Sequence, residues 1–179
     1  MLDTSQVYKI DNLLTEEELN IFHKYEDQYV WEFSNATYDE GRHFWVKDFW
    51  GEKWGKCDVI ESGFRNKLQV LLGSELETVH MYLNGQAHGQ CGDLHSDWKP
   101  EWDPAYDYIT MVYYAHKEWK PEYGGFTCVE TPDGTLHTAY PKPNSCVIFN
   151  SRFQHIGLEP TIHCKEMRIS LAHKFKVLK

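Results

Sequence analysis

The sequence predicts an α+β chain that is mainly β, with two supporting helices first and a β-rich sandwich or barrel after them. Two observations carry this prediction. Before residue 75, apolar residues recur at helical spacing in two stretches. After residue 76, seven short runs rich in β-branched and aromatic residues follow one another, separated by turns.

The first segment, "VYKIDNLL" at 7–14, reads as a short strand running into Thr15. "TEEE" then offers a capping box, in which Thr15 caps and Glu18 reaches back. A helix over 15–28 follows, with Leu19, Ile21, Phe22 and Tyr25 mostly on one face. Residues 38–57 mix glycines with Phe44, Trp45, Phe49, Trp50 and Trp54 in no clean period, which predicts a hairpin or long loop. "VIESGFRNKLQVLLG" at 59–73 restores helical spacing and closes on Gly73 as a C-cap. The later runs are "ETVHMYLN", "DYITMVYYAH", "GGFTCVE", "TLHTAYP", "SCVIFN", "HIGLE" and "MRISLAHKF", with a turn at Pro132-Asp133-Gly134. No repeat or linker interrupts them. One domain over 1–179 is expected, with 1–75 as helical support and aromatic loop and 76–179 as the barrel core.

Charge and composition narrow the function. A net charge of −9 argues against a nucleic-acid partner, because phosphate binding draws on clusters of Lys and Arg. No apolar run is long enough to span a membrane and no signal-peptide pattern is visible, so a cytoplasmic protein without a membrane partner is expected, as monomer or homodimer. Five scattered cysteines without a CxxC pair argue against a structural zinc site or a disulfide framework. Aromatic residues at 15%, with seven Trp, supply large rings for a core and a pocket.

The chemistry centres on "GDLHSDW" at 92–98. On an extended segment residues i and i+2 project to the same side, so His95 and Asp97 can face one metal. His155 in "FNSRFQHIGLEP", 60 residues further on, is the best third ligand. Two imidazoles and one carboxylate leave coordination positions open, as in non-haem Fe(II) oxygenases, whereas a structural zinc site would want a fourth protein ligand. His116 and Glu118 form a rival same-face pair, and Asp93 competes with Asp97. "MRIS" places Arg168 and Ser170 on one face of a β-like run, where a guanidinium fork beside a hydroxyl can bind a carboxylate. In "YITMVYY" Thr110, Val112 and Tyr114 share a face, so a phenol can add a hydrogen bond. A surface salt bridge for Arg168 and a core role for Tyr114 are the plain alternatives.

Taken in order, these residues resemble the Fe(II)- and 2-oxoglutarate-dependent dioxygenases, in their prolyl 4-hydroxylase-like branch. The resemblance spans roughly 76–176 and rests on "LHSDW", "YITMVYYAHKEWKPEYGG", "PKPNSCVIFNSRFQH" and "RIS", with weaker support from "IDNLLTEEEL". "TMVYYAHKEW" and Gly124-Gly125 look like the hypoxia-sensing prolyl hydroxylases in particular. The resemblance implies a double-stranded β-helix, a jelly-roll or cupin-like barrel, with Fe(II) on His95, Asp97 and His155. It implies 2-oxoglutarate chelating through its 1-carboxylate and keto oxygen. The 5-carboxylate would be held by Arg168, helped by Tyr114, Ser170 and Tyr82. O2 is the other co-substrate, with ascorbate as reductant.

The implied reaction couples decarboxylation of 2-oxoglutarate, giving succinate and CO2, to hydroxylation of a C–H bond. A prolyl residue in a protein or peptide is the leading substrate, a free amino acid or small metabolite the alternative. From another class, the barrel could be a degenerate metal-binding module. Two features depart from the pattern. Arg168 stands where collagen-type relatives use lysine, and it lies further from His155 than in the hypoxia-sensing type. Segment 98–107, "WKPEWDPAYD", matches no motif of the family, and with 38–57 it is a candidate for a loop closing over substrate.

Overall fold

The structure, a computed structural model, describes residues 3–36, 43–51 and 55–178. Residues 38–42 and 52–54 of the expected aromatic loop, Trp54 among them, therefore lie outside the described residues.

Both predicted helices form where local signals place them. Helix α1 (Glu16–Glu26) begins at the Thr15 capping box, with the Thr15 hydroxyl accepting from the Glu18 amide and the Glu18 carboxylate accepting from the Thr15 amide. Helix α2 (Asp58–Leu72) ends at Gly73, whose φ of 62° is left-handed and costs glycine little.

The strands are β1 (Tyr8–Asp11), β2 (Glu32–Ala36), β3 (His43–Asp48), β4 (Trp50–Gly51), β5 (Gly55–Lys56), β6 (Glu75–Gln86) and β7 (Tyr108–Tyr114). They continue with β8 (Thr127–Glu130), β9 (Leu136–Ala139), β10 (Ser145–Asn150), β11 (Gln154–Gly157) and β12 (Arg168–Leu178). All seven runs expected after residue 76 are present. A seven-stranded antiparallel sheet has the order β1-β10-β7-β12-β6-β3-β2, and a three-stranded sheet the order β11-β8-β9. This mainly β architecture of two facing antiparallel sheets is the expected barrel.

The N-terminal segment contributes more β-structure than its helical character suggested. Strand β1 pairs with β10, and the β2–β3 hairpin extends the large sheet beyond β6, where Trp45 pairs with Gly85 and Val46 with Asn84. Strand β6 is twelve residues long and offers an edge that this hairpin covers.

Alternation along β7 divides the core. Met111 and Tyr113 meet Phe22 of α1 and Ile60, Phe64 and Leu68 of α2, the last three spaced i, i+4, i+8 on one helical face. Phe22 packs edge-on against Phe64 at 5.9 Å and Tyr113 at 5.8 Å between ring centroids. Val112 and Tyr114 point the other way, into the barrel, against Val129, Val147 and Phe149. Ile21 departs from the predicted face of α1 and is 39% exposed. All five cysteines are free, and no helix among the described residues is long and apolar enough to cross a membrane.

Candidate metal centre and carboxylate recess

The segment before β7 is stitched to the β10–β11 turn by its backbone. His95 and His155 exchange N–H···O bonds of 3.1 and 2.8 Å, and the amides of Asp97 and Trp98 both donate to the Ser151 carbonyl at 2.9 Å. This pairing gathers side chains from two distant stretches. Ligand-type atoms of His95, Asp97 and His155 all lie within 4.8 Å of one another. Nε2 of His95 lies 3.7 Å from Asp97 Oδ1, and Nε2 of His155 3.5 Å from Asp97 Oδ2.

The other ring nitrogens face carbonyls, His95 Nδ1 toward Asp93 O at 2.8 Å and His155 Nδ1 toward Phe153 O at 3.2 Å. A carbonyl only accepts, so each Nδ1 carries the proton and each Nε2 keeps a lone pair aimed at the shared space. Burial lowers the His155 pKa to about 4, against the opposing pull of Asp97, which keeps the ring neutral and able to ligate. This donor set fits a divalent iron with open positions. The rivals stand elsewhere: Asp93 is exposed and offers His95 only its main-chain carbonyl. His116 stacks on Trp119 at 4.1 Å and accepts from the Ile169 amide.

Two further side chains hold Asp97. Lys174 Nζ donates to Oδ1 at 2.7 Å and Thr110 Oγ1 to Oδ2 at 2.8 Å. Burial would raise the Asp97 pKa, but Lys174, followed by His155, holds it well below the ordinary carboxylate value. Burial would likewise lower Lys174, yet Tyr82 and Asp97 raise it, so the pair is ionic.

Further along the same cavity Arg168 is 2% exposed. Its Nε donates to Gly125 O at 2.6 Å, Nη1 to Gln86 Oε1 at 2.7 Å and Ser170 Oγ at 3.0 Å, and Nη2 to Thr127 Oγ1 at 2.8 Å. Every one of these acceptors is neutral. Among the described residues Arg168 has no counter-ion, which is costly for a buried cation, and burial indeed lowers its pKa. A carboxylate ligand would supply the missing charge. Tyr114 lies one hydrogen bond away: its hydroxyl donates to Thr127 Oγ1 at 2.8 Å, and its ring centroid is 5.7 Å from the guanidinium carbon. Burial raises its pKa to about 12, so it stays a neutral donor.

Of the predicted residues His95, Asp97, His155, Arg168, Ser170 and Tyr82 line one cavity of about 60 Å³, with Phe44, Val112 and Ala172 as apolar wall, whereas Tyr114 is not in its lining and packs behind Thr127. Tyr82 stands opposite Ala172, with Lys174 Nζ 5.3 Å from its ring centroid; opposite Arg168 the ladder places Gln86. Among the described residues none of 98–107 lines this cavity. Gln86, Thr127 and Lys174 escaped the sequence reading. Strand period was an available signal, since Gln86 follows Tyr82 by four residues and Lys174 follows Ser170 by four, each pair on one face.

A two-histidine, one-carboxylate cluster at one part of a barrel cavity, and a cationic recess for a carboxylate at another, define the class of mononuclear iron enzymes that take an acidic co-substrate. Residues 78–175 match the family described as the 2OG-Fe(II) oxygenase superfamily, and the chain belongs to that superfamily, which uses Fe(II), 2-oxoglutarate and O2. Comparison with curated proteins returns no match.

Among solved structures, the fold is similar to a Pseudomonas putida prolyl-4-hydroxylase, at 17% identity and a TM-score of 0.62 over 97% of this chain and 93% of that one. It is similar to a 2OG-Fe(II) oxygenase family oxidoreductase from Burkholderia pseudomallei, at 12% identity and a TM-score of 0.74 over 95% and 85%. It is also similar to HygX from Streptomyces hygroscopicus, solved with nickel, 2-oxoglutarate and hygromycin B, at 11% identity and a TM-score of 0.66 over 97% and 84%. At such identities the likeness is one of fold.

Proposed function

We propose that this oxygenase hydroxylates a prolyl residue in a protein or peptide, using the His95, Asp97 and His155 cluster to hold Fe(II) and the Arg168 recess to hold 2-oxoglutarate. The observation that carries the site assignment is the buried guanidinium of Arg168, bonded among the described residues to neutral acceptors only and opening on the cavity that the three ligands share. Bound iron with 2-oxoglutarate and O2 supplies the oxidising power, and release of succinate and CO2 accompanies it. The chain supplies the rest. His95 and His155 present Nε2 lone pairs, Asp97 presents a carboxylate, and Arg168 with Ser170 orients the 5-carboxylate of 2-oxoglutarate. Tyr114 secures that end through Thr127, and Tyr82 stands by the metal cluster. Phe44, Val112 and Ala172 give the cavity an apolar wall, which limits the access of water and so side reactions.

The prolyl substrate is supported by "YITMVYYAHKEWKPEYGG" and by the fold likeness to the Pseudomonas putida enzyme over nearly the whole of both chains. A small-metabolite substrate is the second reading, favoured by the fold likeness to HygX with hygromycin B. Purified protein with Fe(II), 2-oxoglutarate and ascorbate is incubated with proline-containing peptides, free amino acids and small metabolites, and succinate release and a mass gain of one oxygen are recorded. Oxygen gain on peptides alone supports the prolyl reading, and gain on free compounds alone replaces it. Undiminished turnover in both His95→Ala and Asp97→Ala would remove the metal assignment.

A further inference from the structure

We propose that Lys174 is a positioning residue of the metal centre: together with Thr110 it clamps the Asp97 carboxylate in one orientation beside the two imidazoles. This rests on the assignment of His95, Asp97 and His155 as the ligands. A lysine on an inward face of a barrel strand is unusual, because an ammonium is expensive to bury unless paired and hydrogen-bonded. Lys174 is 7% exposed, its Nζ lies between the Tyr82 ring and Asp97, and its bond to Asp97 Oδ1 is 2.7 Å long. The backbone is adapted at this place: the β12–β6 register shifts between Lys174 and Phe175. Such irregularities re-aim side chains beside functional sites.

An ionised carboxylate has about four lone-pair positions, two on each oxygen. Lys174 takes one on Oδ1 and Thr110 one on Oδ2, and Thr110 is itself held by Ser151 Oγ at 2.9 Å. Rotation of the carboxylate about its Cβ–Cγ bond would break both contacts. With both contacts in place Oδ1 stands 3.7 Å from His95 Nε2 and Oδ2 3.5 Å from His155 Nε2, so the held carboxylate faces both imidazoles. The clamp therefore fixes the plane of the carboxylate while leaving a lone pair free on each oxygen, so that Asp97 would be held ready beside the two imidazoles before an ion binds.

The test uses Co(II), which reports its coordination in the visible spectrum, with the full chain and no turnover. Lys174→Met keeps the unbranched stem as far as the ε carbon and removes the donor. Loss of an outer hydrogen-bond partner of a ligand typically weakens metal binding about 10–100-fold, and that loss is expected here, with an altered Co(II) spectrum at saturating metal. A Co(II) affinity within about threefold of the parent, or tighter, with an unchanged spectrum overturns the proposal. Should Lys174→Met fail to fold, Thr110→Val, nearly equal in shape, releases the other oxygen; an unchanged affinity and spectrum there overturns it equally. Parent protein that binds no Co(II) overturns the ligand assignment instead, so the two failures are distinguishable.

Discussion

The main chains of His95 and His155 form a two-bond antiparallel bridge, N–H···O distances 3.1 and 2.8 Å, across 60 residues of sequence. The two imidazoles are thus brought together by backbone pairing that requires no ion. Removing metal with a chelator is expected to leave near-ultraviolet circular dichroism and amide-exchange protection at His95 and His155 intact. Added metal then stabilises by mass action, about 2.7 kcal/mol at a hundredfold excess over the dissociation constant. Loss of tertiary dichroism on chelation would show that the ion, rather than the bridge, assembles the site.

Arg168 and Gln86 divide the carboxylate recess between charge and orientation. Gln86 accepts from Arg168 Nη1 while its own amide donates to Gln90 O at 3.0 Å and Gly157 O at 3.3 Å, so it is fixed from both sides. Truncating one partner of a buried charged hydrogen bond costs about 2–5 kcal/mol. Arg168→Met is therefore expected to weaken 2-oxoglutarate binding at least about 30-fold while Co(II) still binds. Gln86→Leu should weaken it about tenfold, the low end of the scale for one hydrogen bond to a charged group. Calorimetric titration of 2-oxoglutarate into the Co(II)-loaded variants measures both. Equal affinity in Arg168→Met and parent would mean the co-substrate binds elsewhere.

Much of this was legible in the sequence because the signals were local. The Thr15 capping box, the left-handed Gly73 and the period of the seven strands each depend on a few adjacent residues. The i, i+2 spacing of His95 and Asp97, with the ordered motifs after it, marked the cluster. What was hidden depends on contacts between distant segments. A lysine six residues beyond Arg168 reads as a surface residue until its strand is seen to pass under Asp97. Hairpin β2–β3 has weak periodicity because it pairs at a sheet edge, with Phe33 and Trp45 partly exposed on one side and Phe44 buried on the other. Tyr82 and Gln86 share a face, and only the register decides which of them reaches the guanidinium.

Gly125 sits where the chain must let Arg168 pass. Its φ is +72°, and a Cβ there would stand 3.0 Å from Arg168 Cδ and 3.3 Å from the Trp119 ring. Its carbonyl also accepts the 2.6 Å bond from Arg168 Nε. Gly125→Ala is expected to destabilise by about 1–3 kcal/mol through backbone strain and crowding. It should raise the KM for 2-oxoglutarate, because the guanidinium must move. Gly134→Ala has a comparable φ of +81° with nothing near its Cβ, so it should show strain alone. A KM shift as large in Gly134→Ala as in Gly125→Ala would contradict the role given to the close approach.

Two buried histidines and a half-buried one make the metal-free protein acid-sensitive. Burial, with Arg168 adding to it, lowers His116 to about 3; burial lowers His155 to about 4, and it holds His173 well below the usual histidine value. In the unfolded chain each would titrate near 6.5. Below that value the unfolded state binds protons that the folded state refuses, so stability falls as pH drops from about 6.5 toward the folded values. Each ring contributes up to about 1.4 kcal/mol per pH unit in that window. Asp97 adds its loss only below about pH 4, because its folded value is depressed. Lys174 acts at the opposite end, its folded value being raised, and its contribution is lost only above about pH 10.5. Urea unfolding of chelator-treated protein at several pH values from about 7.5 to about 5 should give a midpoint nearly level above about pH 6.5 and falling steadily below it. His116→Leu should make that fall shallower by roughly a third, if the three rings titrate independently. A midpoint flat across this range would mean that the rings take up protons without unfolding.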